Sequence, residues 1–208
     1  MVRVPEDQLD RAIREMEELD DLREEALRRS RRWLSVARSS IISARRMNCL
    51  EDVERGLLEI LGEVKRFMEE AMSRLGSSSC LIRPIIQDSL QEIVEGIVLC
   101  RLLAGKRVPD HAELGVGARE YLLGVSDAIG ELRRIALECM REGNVEMAEG
   151  LVSLMEGIYE RIGSASFPDS LIPLRKKADE ARILIERTLS ELLFVKAGRG
   201  SRIGSDEG

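Results

Sequence analysis

Aromatic side chains make up only 3% of the 208 residues, and the chain has five prolines and a single histidine. Sheet proteins draw heavily on aromatic and β-branched residues, so a chain rich in Leu, Glu, Arg, Ala and Ile with so few aromatics is expected to be helical. The lone His111 stands in the polar stretch KRVPDHAELGVG, as a solvated surface residue would. No Glu-x-x-His occurs, which excludes the ferritin-like type of di-iron site. The four cysteines, Cys49, Cys80, Cys100 and Cys139, show no CxxC spacing, and two of them lie in apolar helical runs, where a reduced Cys behaves as a small hydrophobe. That usage is expected of a cytoplasmic protein. No apolar run approaches the roughly 20 residues of a membrane span, and no leading stretch resembles a signal peptide. Lysine is also scarce, five residues among the 32 basic ones, and the formal net charge is −6. The acidic sum argues mildly against nucleic acid as a partner, although a whole-chain total conceals local basic patches.

What is present is a series of helical segments separated by Gly, Asn, Ser and Pro. Pro5 with Glu6 and Asp7 opens a long amphipathic helix reaching about Met47, ended by Asn48. Further helices are predicted from Leu50 to Leu75, Ile82 to Ala104, Arg119 to Glu142, Val145 to Ile162 and Ser170 to Lys196, with a short turn at Asp110 to Leu114. The expected organisation is one all-α bundle over residues 1–197 and a flexible tail over 198–208.

Two of these helices carry close carboxylate pairs. Glu92 and Glu95 in LQEIVEGIVLCRLL fall about 60° apart on a helix, and Asp127 and Glu131 in EYLLGVSDAIGELRRIA about 40°, so each pair can aim at one point. The run from Ile93 to Leu103 is apolar nearly all round and should be buried, and an ionised Glu95 there needs either an arginine or a metal ion. Glu120, Asp127, Glu131 and Glu138 form one stripe opposite Leu122, Ile129 and Leu132, a pattern usual for a solvated face. If the four carboxylates converge, an all-oxygen set suits Mg²⁺ or Mn²⁺, and such ions typically serve phosphodiester hydrolysis.

The first helix supplies a basic stripe. Arg31, Arg38 and Arg45 are spaced by seven, extended by Arg28 and Ser35, and could follow a nucleic-acid backbone or pair with glutamates of neighbouring helices. Trp33 among them reads as core rather than as a base-stacking platform.

The stretch EYLLGVSDAIGELRRIALECMREGNVEMAE resembles the signature of the translin family, which reads close to EYLLGLADLTGELMR before a short Gly-containing turn. LQEIVEGIVLCRLL is similar to the family's LQEYVEA segment, LRKKADEARILIERTLSEL to its last helix and DLREEALRRSRRWLSVARSSI more loosely to its first, so the likeness spans about Leu19 to Phe194. The resemblance implies a bundle of about seven helices, assembled into a hollow closed homo-oligomer, commonly an octamer, that binds single-stranded nucleic acid on an interior lined by basic residues. It further implies the catalytic branch, that of translin-associated factor X, in an archaeal-type form that assembles with itself. That branch is a Mg²⁺-dependent endoribonuclease whose acidic positions match Glu92, Glu95, Asp127 and Glu131, all filled here. The sequence departs from the family pattern at Ile93, where the family has Tyr, and at Ala128-Ile129, where it has Leu-Thr.

The expectation is therefore an endoribonuclease acting on single-stranded RNA, with Glu92, Glu95, Asp127 and Glu131 as metal-binding catalytic residues. Arg28, Arg31, Arg38 and Arg45 are the expected contacts to the RNA backbone. The alternatives are a non-catalytic single-stranded RNA or DNA binder of translin type, in which the carboxylates only pair with basic side chains, and a purely structural helical oligomer.

Overall fold

A computed structural model describes the backbone of residues 6–203 and the side chains of residues 6–197. Among the described residues there are seven α-helices and no strand: α1 (Glu6–Arg45), α2 (Leu50–Leu75), α3 (Arg83–Leu103), α4 (His111–Leu114), α5 (Ala118–Glu142), α6 (Val145–Gly163) and α7 (Leu174–Ile203). The all-helical expectation holds, and the short turn anticipated near Asp110 is α4. Asp110 caps it reciprocally, its carboxylate accepting from the Glu113 amide while the Glu113 carboxylate accepts from the Asp110 amide, both at 2.8 Å.

Three boundaries differ from the expectation by more than one residue. α1 stops at Arg45 rather than about Met47, because Met47 and Cys49 take up left-handed backbone with φ of 54° and 53°. The last helix starts at Leu174 rather than Ser170, since Pro173 disfavours helical backbone at Ile172 before it. It then continues through Ile203, across the start of the segment expected as a tail, and residues 204–208 lie outside the described residues. Elsewhere the punctuation acts as anticipated. Gly143 ends α5 with φ 82°, and the Asn144 side chain accepts from the Met147 amide to start α6 at once.

α3 and α5 lie at the centre. α3 packs against α1, α2 and α5, and α5 packs in turn against α6 and α7, so the buried hydrophobics make one continuous cluster. Of the run from Ile93 to Leu103 expected to be buried, Ile93 to Cys100 is buried throughout, whereas Arg101, Leu102 and Leu103 at the end of α3 are only half-buried. Trp33 belongs to this core, 1% exposed, edge-on to Phe67 with ring centroids 5.8 Å apart, its indole N–H donating to Glu63.

Small residues set the approach of the helices that matter for function. At Gly124 on α5 an added Cβ would stand 2.7 Å from the Gln91 carbonyl oxygen and 2.9 Å from Val94 Cβ, so the backbones of α3 and α5 meet here only because the position is glycine. Ser30 and Ser89 do the same work between α1 and α3. The Ser30 hydroxyl donates to the Ile85 carbonyl at 2.9 Å and the Ser89 hydroxyl to the Ser30 carbonyl at 3.0 Å.

Candidate functional site

The close contact at Gly124 brings together the helical turns that bear the four carboxylates. Glu92 and Glu95 come from the middle of α3, Asp127 and Glu131 from the middle of α5, and Glu95 lies in the field of the other three. Glu95 is 8% exposed. Burial first, then the negative charges of Asp127, Glu92 and Glu131, push its carboxyl up to about 8, and the Lys177 ammonium offsets this only in part. Among the described residues no hydrogen bond or ion pair reaches the Glu95 carboxyl.

The other three carboxylates each face a cation. The Arg38 guanidinium on α1 donates to Glu92 at 3.0 Å, and Arg45, one stripe position further on, donates to Glu131, with Arg134 at 3.6 Å on the second oxygen. Asp127 is held on both oxygens, by the Lys177 ammonium from α7 and by the Gln91 amide from α3. With these pairings in place, no group of three or more His, Cys, Asp or Glu side chains among the described residues stands in an arrangement that would hold a metal ion. The donor chemistry nevertheless fits a hard divalent cation. There are four carboxylates, one of them buried at the centre with no cation of its own, and a divalent ion would lower the pKa of Glu95 and satisfy it.

The stripe expected as a solvated face of α5 is not one. Glu120 is 2% exposed against Arg83, Glu131 is buried and Asp127 half-buried, leaving only Glu138 of the four exposed. The cause is the central place of α5, which is covered by α3 on one side and by α6 and α7 on others.

The arginine stripe of α1 divides into two. Arg28 and Arg31 are exposed with no ion pair among the described residues, whereas Arg38 and Arg45 close onto the carboxylates. Lys177, Gln91 and Arg134 are site residues that spacing alone did not disclose. Lys177 was visible only as part of LRKKADE in the stretch similar to the family's last helix, and nothing in its neighbourhood singles it from Lys176. His111 has no place in the site and instead tilts against Tyr121 with centroids 6.2 Å apart.

Seven helices around a paired acidic centre, bordered by a basic stripe on the first helix, define an all-α protein of the translin type. The chain belongs to the translin family, the group that includes the C3PO proteins. The crystal structure of AfC3PO matches it with a TM-score of 0.78 at 33% identity, over 92% of this chain and 98% of that one. The structure of AfC3PO in complex with duplex RNA matches with a TM-score of 0.77 at 32% identity, over the same shares of 92% and 98%. An uncharacterized protein of Methanocaldococcus jannaschii is 28% identical over 190 residues, 90% of this chain and 82% of that protein. No protein-family model matches the chain.

Proposed function

We propose that this protein is a divalent-metal-dependent endoribonuclease acting on single-stranded RNA, with Glu92 and Glu95 of α3 and Asp127 and Glu131 of α5 holding Mg²⁺ or Mn²⁺. One observation carries the reading: Glu95 is a buried carboxyl in the field of three others, without a cation of its own. Such a placement is unfavourable in a purely structural core, where burying an unpaired acid destabilises the fold, and groups perturbed in this way gather at functional sites. Family membership supports it, and the duplex RNA bound by AfC3PO supports the RNA-binding part of it.

A divalent ion held by carboxylates supplies an activated water and neutralises charge on the phosphodiester oxygens. The protein supplies the rest. Glu95, whose carboxyl burial and its acidic neighbours hold protonated, would have to ionise to serve as one of the ligands, and the Gly124 contact keeps the two carboxylate-bearing turns in register. Arg28 and Arg31, exposed along α1, offer planar N–H forks to the RNA backbone. Arg38 and Arg45 stand where that stripe reaches the carboxylates. The archaeal-type, self-assembling form that the resemblance implies, with an octamer as its common closed state and a cytoplasmic setting, belongs to the same reading. Among the described residues no helix is long and apolar enough to cross a membrane.

The test is cleavage of labelled RNA, single-stranded and duplex in parallel, with Mg²⁺ or Mn²⁺, with EDTA, and with Glu131→Ala and Glu95→Gln. We expect metal-dependent cleavage of the single strand and a loss of at least about a hundredfold in both variants. Full activity of Glu131→Ala, or cleavage that ignores EDTA, would sink the assignment. The ion pairs of Arg38, Arg45 and Lys177 favour a second reading, a non-catalytic RNA or DNA binder in which the carboxylates serve only those pairs. It predicts RNA that is bound but left intact, with affinity indifferent to chelator.

A further inference from the structure

Arg38 and Arg45 sit in two roles at once. Their spacing with Arg31 places them on the basic face of α1, yet their guanidinium groups are committed to Glu92 and Glu131. Each guanidinium donates to its carboxylate through Nε, and a cation whose charge is already answered by a carboxylate draws a phosphate less strongly than a free one. Arg28 and Arg31, on the same helix but beyond the carboxylates, are exposed without an ion pair among the described residues. The half of the stripe nearest the acidic centre is thus occupied internally, and the half furthest from it is open.

We propose that Arg38 and Arg45 are exchange residues. They pair with Glu92 and Glu131 while no divalent cation is bound, and turn to RNA phosphates once those carboxylates ligate one, so that cation and RNA bind with positive cooperativity. The inference rests on the reading of the four carboxylates as a metal site. Its physical basis is competition for the carboxylate charge. A carboxylate shared with a divalent ion has less negative charge to hold a guanidinium, and the released arginine lies at the end of a face already lined by Arg28 and Arg31. Arg38 is well placed for the exchange, because its side chain is 61% exposed and an exposed ion pair is weak and screened. Arg45 is more enclosed, with 27% of its side chain exposed, and supplies the tighter half of the device. Lys177 loses its partner Asp127 in the same event, but it lies on α7 and not on the stripe. By linkage, RNA must raise cation affinity by the same factor that the cation raises RNA affinity.

The sign makes the proposal distinctive. Divalent cations ordinarily weaken protein–RNA binding by competing for the phosphates, so screening and exchange act in opposite directions. The experiment pairs two titrations of the full-length protein. Mn²⁺ is titrated into the protein by calorimetry, and labelled single-stranded RNA is titrated by fluorescence anisotropy with and without saturating Mn²⁺ at constant ionic strength, the RNA being checked for integrity on gels. Wild type is compared with Arg38→Ala and with Arg38→Ala/Arg45→Ala, and Arg45→Lys replaces Arg45→Ala should the double variant not fold.

The expected result is stoichiometric Mn²⁺ uptake and an RNA affinity that rises about fivefold or more in wild type, by less in Arg38→Ala, and not at all in the double variant. Mn²⁺ uptake with RNA affinity unchanged or lowered in wild type, or raised equally in the variants, overturns the exchange and leaves the metal site standing. Absence of Mn²⁺ uptake overturns the metal reading and the exchange with it, and absence of RNA binding in either condition overturns the exchange and the RNA reading together.

Discussion

Glu95 concentrates the chemistry of this protein in one side chain. Its carboxyl stands at about 8 in the fold against an ordinary 4.5, because burial and the charges of Asp127, Glu92 and Glu131 all oppose ionisation. For an acid whose folded pKa is raised, the folded state holds the proton that the unfolded chain releases. Its contribution to stability is therefore complete below pH 4.5 and is lost as the pH rises through about 8. Thermal melts in EDTA should show a midpoint falling across that window. Glu95→Gln, which keeps shape and removes the charge, should flatten the fall and leave the metal-free variant more stable than wild type at pH 8, by an amount of the order of a few kcal/mol at most. A variant less stable than wild type at pH 8 would show that Glu95 has a counterion after all. Mn²⁺ should restore the wild-type midpoint at pH 8 and leave that of Glu95→Gln unmoved. Trp33, by contrast, is read correctly as core, although of the neighbours that suggested it Leu34 is only half-buried and Val36 is exposed. The same kind of reading does not find Lys177, whose partner Asp127 is 50 residues away in the chain.

The pairing of α3 with α5 is the element-level decision on which the site depends. Gly124 allows it, and the residue has no other evident use, since glycine in a helix interior is unfavourable by about 1 kcal/mol against alanine. Gly124→Ala should therefore destabilise rather than stabilise, by about 1–3 kcal/mol, because its Cβ would meet the Gln91 carbonyl and Val94 at distances that real contacts do not show. Gly130→Ala, on the same helix with nothing within 4 Å of the added carbon, should raise stability by about 0.5–1 kcal/mol. Chemical denaturation of the two variants checks the contrast, and equal effects would mean that the α3–α5 contact is looser than it stands. Helix existence was legible throughout because apolar periodicity and the Gly, Asn and Pro signals are local. The face of α5 was not, since Glu120 is buried against Arg83 of α3 and Glu131 against Arg45 of α1, partners that lie on other helices.

At the scale of the whole molecule, the first turns of α1 are unusual. Residues 6–17 are all exposed, and Leu9, Ile13 and Met16 form an apolar stripe there, 51%, 55% and 61% exposed, lining a shallow cavity with Glu17 and Asp20. Light scattering coupled to size exclusion should find a species several times the 23.4 kDa chain, with about eightfold as the closed state that the family resemblance implies. A strict monomer at micromolar concentration would count against the hollow assembly.

The sequence by itself determined the helical class, most helix boundaries to within a residue, the burial of most of the run from Ile93 to Leu103 and the candidate carboxylates, because all of these depend on periodicity, capping and composition within a few turns of chain. Tertiary structure alone decided which charge answers which. Arg38 and Arg45 meet Glu92 and Glu131 across 54 and 86 residues, and Lys177 meets Asp127 across 50. Electrostatic partnership depends on distance and burial in three dimensions, and neither quantity exists until α1, α3, α5 and α7 have packed.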